Sequence, residues 1–78
     1  MKIIYYGYFT EKVHKHEDTF EYNNISLQDL YENLRNKYKF DVEIDDIMFS
    51  VNGVYIGDMN FKIYLYDTVC LLPPMSGG

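Results

Sequence analysis

The order of apolar and polar positions predicts five strands and one helix. Residues 2–9, Lys-Ile-Ile-Tyr-Tyr-Gly-Tyr-Phe, are apolar or aromatic on both faces of an extended chain, with one glycine inside, which predicts a buried central strand. Residues 10–17 are polar, and Asp18-Thr19-Phe20-Glu21-Tyr22 then alternates with period two, as a strand with one wet face does. Together the two runs predict an antiparallel hairpin with a long loop. Asn23-Asn24 turns the chain, and Ser26 stands three residues before Asp29, the spacing of a serine N-cap in a capping-box variant. Leu27, Leu30, Tyr31, Leu34 and Tyr38 recur at helical spacing, forming one apolar stripe over about three turns. Lys37 and Lys39 suit the negative end of that helix.

Residues 40–46 read as an acidic connector pinned by Phe40, Val42 and Ile44, with Glu43, Asp45 and Asp46 in water. Asn52-Gly53 between residues 47–51 and 54–56 is a strong signal for a tight hairpin. Residues 57–60 form a turn, 61–65 a short apolar element, 66–68 another turn, and Val69-Cys70-Leu71-Leu72 the last strand. The expected order is β-β-α-β-β-β, an α+β domain over residues 1–72 with a flexible tail over residues 73–78.

Composition narrows what such a domain does. With 78 residues there is room for one small core, and 47% hydrophobic with 24% charged residues fits a folded chain. Nine tyrosines and five phenylalanines place amphipathic rings in the core and on the surface, where tyrosine favours interfaces. The net charge of -5 and the lack of any basic run argue against nucleic acid and anionic membranes as partners. They favour instead a basic surface on another protein. Nothing near residue 1 reads as a signal peptide or spanning helix, and the single cysteine excludes an internal disulfide, so the expected address is cytoplasmic.

Three constellations have the residue types of a chemical site but not its pattern. His14 and His16 beside Glu11, Glu17 and Asp18 lack the further ligands that complete a metal shell, and are read as solvated; no metal is expected. The carboxylates Glu43, Asp45 and Asp46 lack the unlike environments that acid/base work requires. Cys70, between Val69 and Leu71, is read as a small buried hydrophobe because no base or helix N-terminus accompanies it.

What remains is the tail, Pro73-Pro74-Met75-Ser76-Gly77-Gly78. The prolines fix φ and remove two N–H donors, so they stop strand pairing and project the chain outward. Glycine has no Cβ, which lets a backbone enter a channel too narrow for other residues. A carboxylate at such a tip can reach a buried site. It becomes an acyl donor only when its oxygen is made a leaving group, for which an ATP-dependent acyl-adenylate formed by another enzyme is the practical route.

The stretch Asp67-Thr68-Val69-Cys70-Leu71-Leu72-Pro73-Pro74-Met75-Ser76-Gly77-Gly78 resembles the terminal pattern of the molybdopterin synthase sulfur carrier family, and Val51-Asn52 and the opening residues 2–9 match it in position and character. The resemblance implies a ubiquitin-like β-grasp fold, a mixed sheet packed on one main helix. It implies that Gly78 is adenylated by an activating enzyme of the ubiquitin-activating type, which uses the ATP, and is then converted to a thiocarboxylate with a sulfur donor system. The tail would enter the large catalytic subunit of the synthase and deliver sulfur to a pterin precursor of the molybdenum cofactor. On this reading the chain is a non-catalytic carrier with no bound cofactor, and Leu71, Leu72, Pro73, Pro74, Met75, Ser76 and Gly77 contact the partner. Tyr66 stands where the family usually has glycine before the aspartate, which implies a different turn there. Two other readings stay open: a carrier serving thiamine or transfer-RNA thiolation or protein conjugation, and a ubiquitin-like interaction module with an inert tail.

Overall fold

The computed structural model describes residues 1–74. Ten elements follow one another: β1 (Lys2–Tyr5), α1 (Tyr8–Val13), β2 (Glu17–Thr19), β3 (Ile25–Ser26), α2 (Leu27–Tyr38), a 3₁₀ turn (Ile44–Asp46), β4 (Met48–Val51), β5 (Val54–Ile56), β6 (Lys62–Ile63) and β7 (Thr68–Leu72). Five strands form one mixed sheet in the order β2-β1-β7-β4-β5, and β3 pairs with β6 in a separate two-stranded ladder. β1 and β7 lie side by side in parallel, and every other pairing in the large sheet is antiparallel.

The main helix forms where its stripe and cap predict it. The Ser26 hydroxyl accepts a hydrogen bond from the Asp29 N–H at 3.1 Å, satisfying one orphan donor of the first turn. Lys39 closes the helix in the left-handed conformation. Leu27, Leu30, Tyr31 and Leu34 are buried, and they meet Ile3, Tyr5, Phe49, Val51, Val69 and Leu71 from the sheet in one core. Burial pushes the Tyr31 phenol up to about 12, and its hydroxyl donates to the Val42 carbonyl, so the ring also pins the connector. The hairpin at Asn52-Gly53 has a two-residue loop, with Val51 opposite Val54 and positive φ of 52° and 86°, the geometry of a type I′ turn.

The N-terminal third departs from its expected form. Residues 2–9 are not one strand: β1 ends at Tyr5, and α1 begins at Tyr8. Gly7 adopts φ 53° and ψ -121°, and the Phe9 N–H donates to the Tyr6 carbonyl at 3.1 Å, which is a type II′ turn with glycine at its first central position. Beyond it, Phe9 and Val13 stand four residues apart on one helix face and both enter the core. β2 is also shorter than expected, with Asp18 inward and Phe20 stacked on Tyr22 at a 5.1 Å centroid distance outside the strand. Of residues 61–65 only Lys62–Ile63 is strand.

Asp18 is 8% exposed, and its carboxylate accepts from the hydroxyls of Tyr5 at 2.7 Å and Tyr38, and from Lys15 Nζ at 2.6 Å. Burial alone would raise its pKa; the donors Lys15, Tyr38 and Tyr5 outweigh that and hold the carboxyl below the usual value of 3.8. Below that value the unfolded chain takes up a proton that the folded chain refuses, so this stabilisation is full at neutral pH and disappears as pH falls through the folded pKa. The expected result is that the urea midpoint of the native protein falls on acidification below about pH 5. In Asp18→Asn the midpoint is lower at pH 7 and falls less steeply with acid; an equally steep fall would show that other carboxylates govern it.

A second polar knot lies at the start of β7. Asn52 Nδ2 donates to Asp67 Oδ1 at 2.9 Å, the Tyr64 N–H donates to Asp67 Oδ2 at 2.8 Å, and the Thr68 N–H donates to Asn52 Oδ1 at 2.9 Å. Asp67 thus ties the incoming turn to the β4–β5 hairpin. Tyr66 is 93% exposed and is not among the residues with positive φ, so this turn has no conformational need for the missing glycine.

Candidate functional site

β7 crosses the middle of the sheet and leads into the tail. Along it Val69 and Leu71 are fully buried, while Thr68, Cys70 and Leu72 are half-buried on the opposite face. Leu71 is held from both sides, opposite Tyr5 of β1 and Phe49 of β4. Leu71, expected among the partner contacts, is therefore a core residue that anchors the tail; it has no surface to offer. Leu72 and Pro73 are half-buried and Pro74 is exposed, so these three present the neck to solvent. Met75, Ser76, Gly77 and Gly78 lie outside the described residues.

The α2 helix covers one face of the sheet, and the alternating residues point the other way. In one row across the strands stand Ile4, Cys70, Ser50 and Tyr55; in the next, Leu72 pairs with Met48. Tyr55 is 64% exposed, Met48 44% and Tyr6 47%, beside half-buried Ile4, Cys70 and Leu72. This apolar, aromatic surface surrounds the point where the chain leaves the sheet. Tyr6, Tyr55 and Met48 give this side the amphipathic character of a protein-binding face, and the Lys2–Glu17 ion pair at 3.6 Å borders it on the β1–β2 side. Cys70 belongs to it, which corrects its reading as a buried hydrophobe: the strand places it on the uncovered side.

Two open depressions flank the neck. One, of about 480 Å³, is lined by Ile4, Tyr5, Tyr6, Gly7, Thr10, Glu11 and His16. The other, of about 240 Å³, runs between β4 and β5 beside Met48 and Tyr55. His16 and Glu11 both line the first depression, but among the described residues no group of three or more histidine, cysteine, aspartate or glutamate side chains comes together as a metal site. Asp41, Glu43, Asp45 and Asp46 are all exposed, and Glu43 pairs with Arg35 at 3.3 Å. Among the described residues the titratable side chains that do converge in the body, Asp18 with Tyr5, Tyr38 and Lys15, are bonded to one another within the fold. No helix there is long and apolar enough to cross a membrane.

Sequence reasoning placed the neck but not the face around it. Period-two alternation does separate Cys70 and Leu72 from Val69 and Leu71, yet both faces of these strands are apolar, and only the position of α2 decides which is covered. Gly7 stands inside a run that reads as one continuous strand, although glycine inside a strand pattern also marks a bend.

Comparison with known proteins agrees with this architecture. No curated protein matches the chain by sequence. Among solved structures it is similar to a candidate molybdopterin converting factor subunit 1 from Pyrococcus furiosus, with a TM-score of 0.80 at 24% identity over 94% of each chain. It is similar to SAMP1 from Haloferax volcanii, with a TM-score of 0.77 at 18% identity over 100% of this chain and 98% of that one. A third likeness, with a TM-score of 0.68 at 21% identity over 99% and 96% of the two chains, is to a structure from Helicobacter pylori 26695 described as the complex of subunits 1 and 2 of molybdopterin-converting factor. These establish the ubiquitin-like β-grasp fold, a mixed sheet on one main helix. The sequence model of the ThiS family matches residues 3–78, including the whole terminal stretch, and the chain belongs to that family.

Proposed function

We propose that this protein is a sulfur carrier whose Gly78 carboxylate is adenylated, converted to a thiocarboxylate, and used to deliver sulfur to a pterin precursor as the small subunit of molybdopterin synthase. The observation that carries the reading is the course of β7. The middle strand of the sheet ends at Leu72 and leads directly into the Pro73-Pro74 neck, beyond which the sequence reads Met-Ser-Gly-Gly. Membership of the ThiS family and the likeness to molybdopterin converting factor subunits support it.

The chemistry divides between the carrier and its partners. The carboxylate oxygen attacks the α-phosphorus of ATP on an activating enzyme, pyrophosphate leaves, and a mixed anhydride forms at Gly78. A sulfur nucleophile from the donor system adds to the acyl carbon, and AMP departs with the former carboxylate oxygen. This chain supplies only the acyl group, its presentation and the docking face. The net charge of -5 favours partners that meet it with a basic surface.

The large synthase subunit is the proposed partner for the open face around Met48, Tyr55, Tyr6 and Leu72. Met48→Asp puts a charge at the centre of that face, on a side chain already 44% exposed. The expected outcome is a stability change within about 0.5 kcal/mol of wild type, with binding to the large subunit weakened at least about thirtyfold, as for loss of a 2 kcal/mol hot spot. Titration calorimetry and urea unfolding measure the two. Unchanged binding would move the docking face elsewhere.

Reconstitution tests the assignment of pathway. The thiocarboxylated chain, mixed with the large subunit and the pterin precursor, is expected to lose its sulfur to the pterin. A chain that is charged with sulfur but never discharges to that acceptor would belong to another thiolation route.

A further inference from the structure

The turn that ends β1 touches the neck of the tail. A Cβ placed on Gly7 would lie 2.9 Å from Pro73 Cγ and 3.6 Å from Pro73 Cδ. Carbon atoms not bonded to one another pack at about 3.5–4.0 Å, so the pyrrolidine ring rests against the bare α-carbon with no room for a methyl group. The backbone at Gly7 is fixed independently of that contact. Its φ of 53° and ψ of -121° belong to the type II′ turn closed by Phe9 and Tyr6, and the Gly7 carbonyl accepts from the Glu11 N–H at 3.2 Å in the first turn of α1. Two residues earlier on each strand, Tyr5 and Leu71 lie opposite each other in the parallel ladder, so the seat and the ring are carried by adjacent strands.

We propose that Gly7 is a positioning residue for the carrier tail: its II′ turn forms the seat on which Pro73 rests, and this contact sets the direction in which the chain leaves the sheet. Proline holds its own φ but cannot fix the orientation of the neck relative to the body; a contact with a rigid turn does. The body then presents the neck at one angle to every partner. This rests on the carrier reading insofar as the angle matters for reaction.

The test compares three chains made by total chemical synthesis, with L-Ala, D-Ala or the native glycine at position 7. L-Ala directs its methyl at Pro73 and, at φ 53°, strains the turn as well, so the Pro73→Ala arm below, which leaves the turn intact, separates the two effects. D-Ala carries its methyl in place of the other α-hydrogen, and the II′ conformation is close to a favoured region for that hand. Each chain is presented to the cognate activating enzyme under conditions where circular dichroism shows it folded, and KM and kcat for Gly78 activation are separated. The expected result is a KM raised about tenfold or more for L-Ala, as for a reacting group displaced by a fraction of an ångström or more, with D-Ala within about twofold of native. A loss of stability alone would not move KM among folded chains.

An L-Ala chain with native KM overturns the proposal, and so does an equal loss in the D-Ala chain, which would trace the effect to bulk and not to the collision. Pro73 ring-proton resonances form the second arm and need no reaction: they shift in the L-Ala chain and hold in the D-Ala chain, and an L-Ala chain without that shift also overturns the seat. Pro73→Ala in the native background is measured beside these and takes the place of an L-Ala chain that does not fold; it removes the ring from the seat, and an unchanged KM overturns the proposal. If the native chain itself is never activated, the carrier reading fails, and the resonance arm still decides whether Gly7 seats Pro73.

Discussion

Deleting Gly77 and Gly78 is expected to abolish sulfur charging completely while leaving the body as stable as before. The new terminus would be Ser76, whose Cβ and hydroxyl occupy the space that a glycine leaves empty, and whose carboxyl group stands two residues short of its place. Two residues span about 7 Å of extended chain, far more than the displacement of about 1 Å that costs a hundredfold when reacting groups must meet in a defined geometry. The body should not register the change, because the core ends at Leu71 and the large sheet at Leu72. Thiocarboxylate formation and urea unfolding of the truncated chain measure the two effects. Survival of partner-dependent function after the deletion would identify the domain as an interaction module with an inert tail.

The second large effect is expected in the core. Phe9 is 0% exposed, and its ring meets Phe40 at 4.9 Å, Tyr8 at 5.4 Å and Tyr31 at 6.5 Å between centroids, all nearly edge to face. Phe9→Ala removes the ring that joins α1, α2 and the connector after it. Such truncations cost about 3–5 kcal/mol, and a chain of this length has about 4–12 kcal/mol in total. The variant is therefore expected to lose about a quarter or more of its stability and to approach unfolding near physiological temperature. Urea titration measures it, and a loss below about 1 kcal/mol would mean that α1 does not depend on this ring.

Phe9 also shows where reading the sequence stops. Tyr-Tyr-Gly-Tyr-Phe has the composition of a strand, and a helix of six residues contains too few turns to display a period. What makes it helical is burial of Phe9 and Val13 against α2 and Phe40, a tertiary effect that overrides local propensity. The opposite case is α2, where the Ser26 cap, the apolar stripe and the lysines near the end all agree and the element appears where expected. The Asn52-Gly53 hairpin was legible for the same reason, since two adjacent residues dictate its turn.

The sheet order was less accessible. The parallel contact of β1 with β7 joins residues more than 60 positions apart, and no local pattern records it. That contact nevertheless controls the site. It puts the exit of the tail in the middle of the sheet, beside Gly7, and turns Cys70 and Leu72 toward the uncovered face where alternation alone left them unassigned. The neck itself needed no fold to be recognised, because Pro73-Pro74 and Gly77-Gly78 declare their properties through backbone geometry.

The proposed chemistry of this carrier concerns one atom at Gly78. Intact-mass measurement of the chain after incubation with a cognate activating enzyme, ATP and a sulfur donor tests it most directly. The predicted result is the mass gain of one sulfur replacing one oxygen, located at Gly78 by fragmentation and absent when ATP is omitted. An unchanged mass, under conditions that convert a control carrier completely, would contradict the account.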